Sequence, residues 1–131
     1  MPISIFALAI AIVHQAATPI EGEWRNPAES VIITIEKCGP SLCGRVRWAS
    51  DKAISDARNA GTDPLIGAEL LCGIDLITRG RWKARLFVPD LRKRSKAELH
   101  LIGPDRLKVT GCAVGGLVCK SQIWSRVTAG E

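Results

Sequence analysis

The sequence predicts an all-β fold, a single antiparallel up-and-down barrel of about eight strands, and three observations carry that prediction. Apolar and polar residues alternate with a period of two along most of the chain, as they do in strands with one wet face. The runs are joined mostly by short turns rich in Gly, Pro and Asp. Two of those turns are bracketed by cysteines: Cys38 and Cys43 flank Gly39-Pro40-Ser41-Leu42, and Cys112 and Cys119 flank a turn built on Gly115 and Gly116. Each pair is expected to form a disulfide that fixes the register of a hairpin. Eight is also the strand number at which a closed barrel can just hold side chains or one small ligand.

Taken in order, the chain opens on Ile3 to Val13, an apolar run too short to span a bilayer and followed by the small residues Ala16, Ala17 and Thr18. That pattern predicts a signal peptide over residues 1–17 and a β-barrel domain over 18–131. Gly22-Glu23-Trp24 begins the domain and Asn26-Pro27 breaks the run. From Ser30 to Cys38 both phases are apolar, with Val31, Ile33 and Ile35 assigned inward. Past the first stapled turn, Val46 and Trp48 are expected to face the core while Arg45 and Arg47 face water. Ser50-Asp51 can cap a short helix within the 50–62 connection, ending near Asn59 with Gly61 as its stop. A connection of that length is either a lid or a crossing segment.

Leu65 to Ile77 reads equally as strand or short helix, with Gly73 marking a bulge or bend. In the next strand Arg79, Arg81, Lys83 and Arg85 alternate with Gly80, Trp82, Ala84 and Leu86, so one face is basic throughout. Val88-Pro89-Asp90 ends it, and Arg92-Lys93-Arg94 with Lys96 carries the charge into a turn. Ala97, Leu99 and Leu101 alternate with Glu98 and His100; after Gly103-Pro104-Asp105, Leu107 and Val109 alternate with Lys108 and Thr110. The last strand alternates Gln122, Trp124 and Arg126 with Ile123, Ser125 and Val127.

Composition narrows the function. The 131 residues, 47% apolar and 24% charged, suit one folded domain rather than a disordered or membrane-bundle protein. Eighteen Lys and Arg against 13 Asp and Glu give +5 and a pI near 9.2. No charged residue precedes Glu21, so the domain keeps the whole surplus and favours anionic partners. Five cysteines, four of them flanking turns, suit an oxidising compartment, and a periplasmic or secreted protein is expected. Their spacing is not that of zinc knuckles, and no metal or cofactor is expected. Cys72, in the apolar run Leu70-Leu71-Cys72, reads as a buried inert thiol. His100 and Glu98 project side by side from one strand, a poor setting for acid–base chemistry, and no nucleophile elbow or phosphate loop is present. The chain is therefore read as no enzyme.

Gly22-x-Trp24 together with Arg126 resembles the lipocalin pattern, in which an arginine of the last strand stacks over the tryptophan of the first and closes the barrel floor. More specific are Ile35-Glu36-x-Cys38-Gly39-x-x-Leu42-Cys43-Gly44-Arg45-Val46, Pro64-Leu65-Ile66-Gly67, Leu107-x-Val109-x-Gly111-Cys112 and Gly116-Leu117-x-Cys119-x-Ser121-Gln122-x-Trp124-x-Arg126-Val127. On these residues the chain resembles the secreted bacterial domain of unknown function family twenty-one forty-seven over residues 22–127. The resemblance implies export and a lipocalin-like barrel and brings no reaction. It also shows a departure. The family's middle strand runs Gly-Gly-x-Ile-Tyr-Asn-Pro-x-x-Gly-Lys-x-Tyr, whereas here Lys83 to Ser95 keeps only Pro89, and the chain contains no Tyr. A site lined by those groups in relatives is changed here.

Two functions follow by analogy of fold. The first is a carrier of a small apolar or amphipathic ligand, bound by Trp48, Trp82, Leu86, Leu99 and Leu101 within a wall completed by Val31, Ile33, Ile35, Val46 and Val109. The second is a cell-envelope interaction module with a side-chain-filled barrel, which meets an anionic partner through Arg45, Arg47, Arg79, Arg81, Lys83 and Arg85. Nucleic acid is not expected, since Trp82 has the core-facing phase and no stacking pattern accompanies the basic stripe. After processing, a monomer without a membrane span is expected. The two readings part on one feature: a carrier needs an enclosed apolar cavity of a few hundred Å³ or more.

Overall fold

Period-two alternation becomes eight consecutive strands in the computed structural model, which describes residues 19–113 and 118–128. They are β1 (Gly22–Arg25), β2 (Val31–Cys38), β3 (Ser41–Ala49), β4 (Glu69–Thr78), β5 (Arg81–Val88), β6 (Lys93–Gly103), β7 (Arg106–Ala113) and β8 (Val118–Arg126). Each pairs antiparallel with its neighbour in sequence, and Trp24 opposite Arg126 joins β1 to β8, so the barrel closes. Closure leaves no unpaired strand edge. The predicted signal segment lies outside the described residues.

One rim carries the stapled β2–β3 turn, the β4–β5 and β6–β7 turns and the floor under Trp24. The opposite rim carries the β1–β2 and β5–β6 turns and the long β3–β4 connection. That connection contains α1 (Asp51–Asn59), begun as the sequence predicts: the Ser50 side chain accepts from the Ala53 N–H at 3.1 Å, with Asp51 in the first turn and Arg58 in the last. Beyond the helix the Thr62 hydroxyl reaches the Pro89 carbonyl at 3.4 Å, tying the connection to the β5–β6 turn. The ambiguous stretch 65–77 resolves as β4, whose register shifts between Cys72 and Asp75. Gly73 lies inside that shift at φ 56°, a conformation that favours glycine.

The interior is filled. Leu99 and Leu107 are 0% exposed, Trp82 is 3% exposed, and Ile33, Ile35, Val46, Leu71 and Ile74 are equally buried. Side chains lining a void wide enough for a ligand would keep accessible surface; these have none to speak of. Two inward glycines show how tightly the space is used. A Cβ on Gly44 would come within 3.3 Å of both Ile33 and Leu71, and one on Gly111 within 3.0 Å of Leu86. Leu86 and Leu101 are partly buried and pack against the same core. Burying this set is what stabilises the fold, each large side chain contributing about 1.5–3 kcal/mol.

Candidate functional site: the outer basic wall

The barrel floor is where the sequence pattern and the geometry agree most closely. The Trp24 indole is fully buried and donates to the Ile20 carbonyl at 2.9 Å, while Ile20, itself fully buried, plugs the floor beneath it. The Arg126 guanidinium sits 4.3 Å from the Trp24 ring centroid. It also donates to three carbonyls, of Pro104 at 2.9 Å, Glu21 at 3.0 Å and Pro19 at 2.6 Å. Gly22 is required beside them: its φ is 125°, and a Cβ there would stand 3.0 Å from the guanidinium. The arginine is thus consumed in closing the barrel.

Both predicted disulfides are present, Cys38–Cys43 with Cα atoms 5.8 Å apart and Cys112–Cys119 at 4.1 Å. The Glu69 carboxylate lies within 4.8 Å of the first pair, but the bridge has taken both sulfurs that could act as ligands. Cys72 departs from expectation. It is half-buried on the outer wall opposite Arg85, because its neighbour Leu71 takes the inward position.

The inner-wall residues assigned to a ligand divide. Trp82 and Leu99 point inward and are buried, Leu86 and Leu101 point inward and are partly buried, and all four serve as core. Trp48 does not join them. A bulge between Ile32 and Ile33 leaves Arg47 unpaired, so Val46 meets Ile33 inside the barrel while Trp48 meets Ile32 outside, 43% exposed. With Arg25, Glu29 and Arg47 it lines an open outer depression of about 430 Å³.

The basic stripe is outside as predicted, but its charge is redistributed. Arg45 pairs with Glu36 at 3.4 Å and Arg47 with Glu23 at 2.8 Å, both toward β1 and β2. They lie on the far side of β4 from β5, about 10 Å away at two strand spacings, and form no common patch with it. On β5 itself Arg81 meets Glu98 at 2.8 Å, and Lys83 has Asp75 and Glu98 as cross-strand neighbours. Arg85 faces Lys96 directly. Arg94 follows on β6, its guanidinium 4.9 Å from the Phe87 ring centroid. Among the described residues Lys83, Arg85 and Lys96 form no ion pair. The uncompensated charge therefore gathers on β5 and β6 and rises toward the turn at Arg92 and Lys93, with Arg79 exposed at the other end. Periodicity found the β5 half; the β6 half needed the register.

Below this cluster, Arg81, Glu98, His100, Lys108 and Thr110 line a second outer depression of about 190 Å³. His100 is half-buried there, and the Thr110 hydroxyl is 2.8 Å from that of Ser121. Glu98 is held by Arg81 at 2.8 Å.

A protein-family description, "Uncharacterized protein conserved in bacteria (DUF2147)", matches residues 22–126, from the floor glycine to the floor arginine. The chain belongs to this family. No curated protein matches it. Among solved structures the family member is similar to protein HP1028 of Helicobacter pylori, described as belonging to the lipocalin family. The TM-score is 0.64 at 10% identity, with 83% of each chain covered. At that identity the likeness shows the fold alone, a lipocalin-like barrel. Among the described residues of this chain, no helix is long and apolar enough to cross a membrane.

Proposed function

We propose that this protein is an exported, non-catalytic interaction module that meets an anionic partner in the cell envelope through the outer wall of β5 and β6. One observation carries the choice over a ligand carrier: among the described residues the inward side chains are buried against one another, Trp82, Leu99 and Leu107 keeping 3% exposure or less. What remains for recognition is the outside, where Arg85 and Lys96 stand opposite each other with no carboxylate between them. Like charges in a directly paired position destabilise a sheet, and an anion bound across them relieves the repulsion.

Polyphosphate retention at physiological salt tests the wall. Binding that weakens with added salt and drops about tenfold in an Arg85→Gln/Lys96→Gln variant is expected. Equal retention of that variant would overturn the reading. Denatured mass spectrometry without reductant should give a chain shortened at its N-terminus and lighter by two disulfides. A native mass carrying a constant small-molecule increment would instead return the carrier reading.

A further inference from the structure

We propose that the depression between Arg81, His100 and Lys108 is a binding site for a tetrahedral oxyanion, a phosphoryl or sulfuryl group. It deepens the interaction-module reading by naming one place and one chemistry on the basic wall. The site is built by register. Arg81 on β5 lies opposite His100 on β6, and His100 lies opposite Lys108 on β7, so three nitrogen-bearing side chains stand abreast on the outer face. Directly paired residues are about 5 Å apart, close enough for flexible side chains to converge on one group. In the next transverse row Glu98 lies opposite Thr110. Thr110 shares its hydroxyl with Ser121, so one of the two hydroxyls can hold the other in place while the second donates outward. A depression of about 190 Å³ has room for such a group and several waters, each occupying about 30 Å³.

The charge balance favours an anion in spite of the carboxylate. Glu98 is engaged by Arg81 at 2.8 Å, and Lys108 forms no ion pair among the described residues. The charged groups around His100 are Arg81 and Lys83 from β5, Glu98 from β6, and Arg106 and Lys108 from β7. One carboxylate thus stands among four cations. A proton on His100 makes the ring a further donor to a seated oxyanion. Proton and anion binding are therefore linked, and each strengthens the other. The anion should bind more tightly as the pH falls.

The full chain titrated with sodium sulfate against sodium chloride at matched ionic strength tests this, with binding read by calorimetry in every variant and, where His100 is kept, also by its ring signals in NMR, assigned through His100→Gln. Saturable sulfate-specific movement of those signals is expected, with affinity about five- to tenfold higher near pH 5.5 than near pH 8. Lys108→Gln should weaken binding about tenfold at both pH values, and His100→Gln should bind at pH 8 yet lose the pH dependence. Arg45→Gln, on the other side of the barrel, should change nothing. Ring signals that respond alike to sulfate and chloride, or sulfate binding indifferent to Lys108→Gln, would overturn the site. If that happens while polyphosphate retention still depends on Arg85 and Lys96, only this site fails and the wall stands. If sulfate binds here while retention ignores those two residues, the wall reading fails instead.

The source of the group is then separable. Inorganic phosphate that displaces sulfate, without binding to phosphatidylglycerol vesicles, assigns a soluble ligand. Vesicle binding that Lys108→Gln abolishes, and that phosphatidylcholine vesicles do not show, assigns a lipid headgroup.

Discussion

Arg126 illustrates how much a single side chain can be asked to do. Its planar fork spreads donors to three carbonyls while the flat face lies on Trp24, and no other residue type offers both. Lysine keeps the charge and loses the geometry. Arg126→Lys should therefore lower stability by about 2–3 kcal/mol in urea denaturation, far more than the ~0–1 kcal/mol of an exposed ion pair. The tryptophans give a second comparison at this scale. Trp82→Ala empties part of the core and should cost about 3–5 kcal/mol, whereas Trp48→Ala on the outer wall should cost about 1 kcal/mol or less. Trp48 is also the one tryptophan of four that is not buried, so iodide should quench its fluorescence selectively and Trp48→Phe should remove that component.

At the scale of elements the two staples are short-range devices. Each closes a loop of five to seven residues in sequence separation, which restricts the unfolded chain by only about 2–2.5 kcal/mol. Loss of Cys38–Cys43 in a Cys38→Ser/Cys43→Ser variant should therefore lower stability by about that amount and leave a cooperative transition, measurable by the same urea curves; collapse of the fold would mean the bridge does more than hold register. These elements were legible because their signals are local: paired cysteines around turn residues, Ser50 ahead of a helix, Gly22 two residues before Trp24. What escaped the sequence depends on register between strands. The bulge opposite Ile32 and Ile33 reverses the face of Trp48 although Val46 and Trp48 are two apart, and no residue in the β3 pattern marks it. For the same reason Lys108 could not be joined to the β5 stripe, and Lys96, read as the charge running on into a turn, could not be placed on β6 opposite Arg85, until the pairing was known. Both apolar phases of 31–35 left the interior undecided as well, so whether the barrel was hollow or filled was a question of packing volume rather than of pattern.

For the whole molecule, the core and the outer wall divide stability from recognition. The core is apolar and filled; the wall keeps Arg85 opposite Lys96, an arrangement that works against the free protein. Cross-strand pairs of this kind are worth about 0.2–1 kcal/mol, and replacing one member by a neutral residue removes the repulsion without disturbing the interior. Arg85→Gln should thus raise stability by a few tenths of a kcal/mol at low salt, with the gain shrinking as added salt screens the charges. The same substitution should weaken polyanion retention. A wall that serves only solubility gives a different pair of results, the small stability gain with retention unchanged, so the two measurements on one variant separate a charge kept for binding from a charge kept for solvation. A gain in stability together with lost binding would mean that this barrel tolerates a less stable sheet in order to hold its partner.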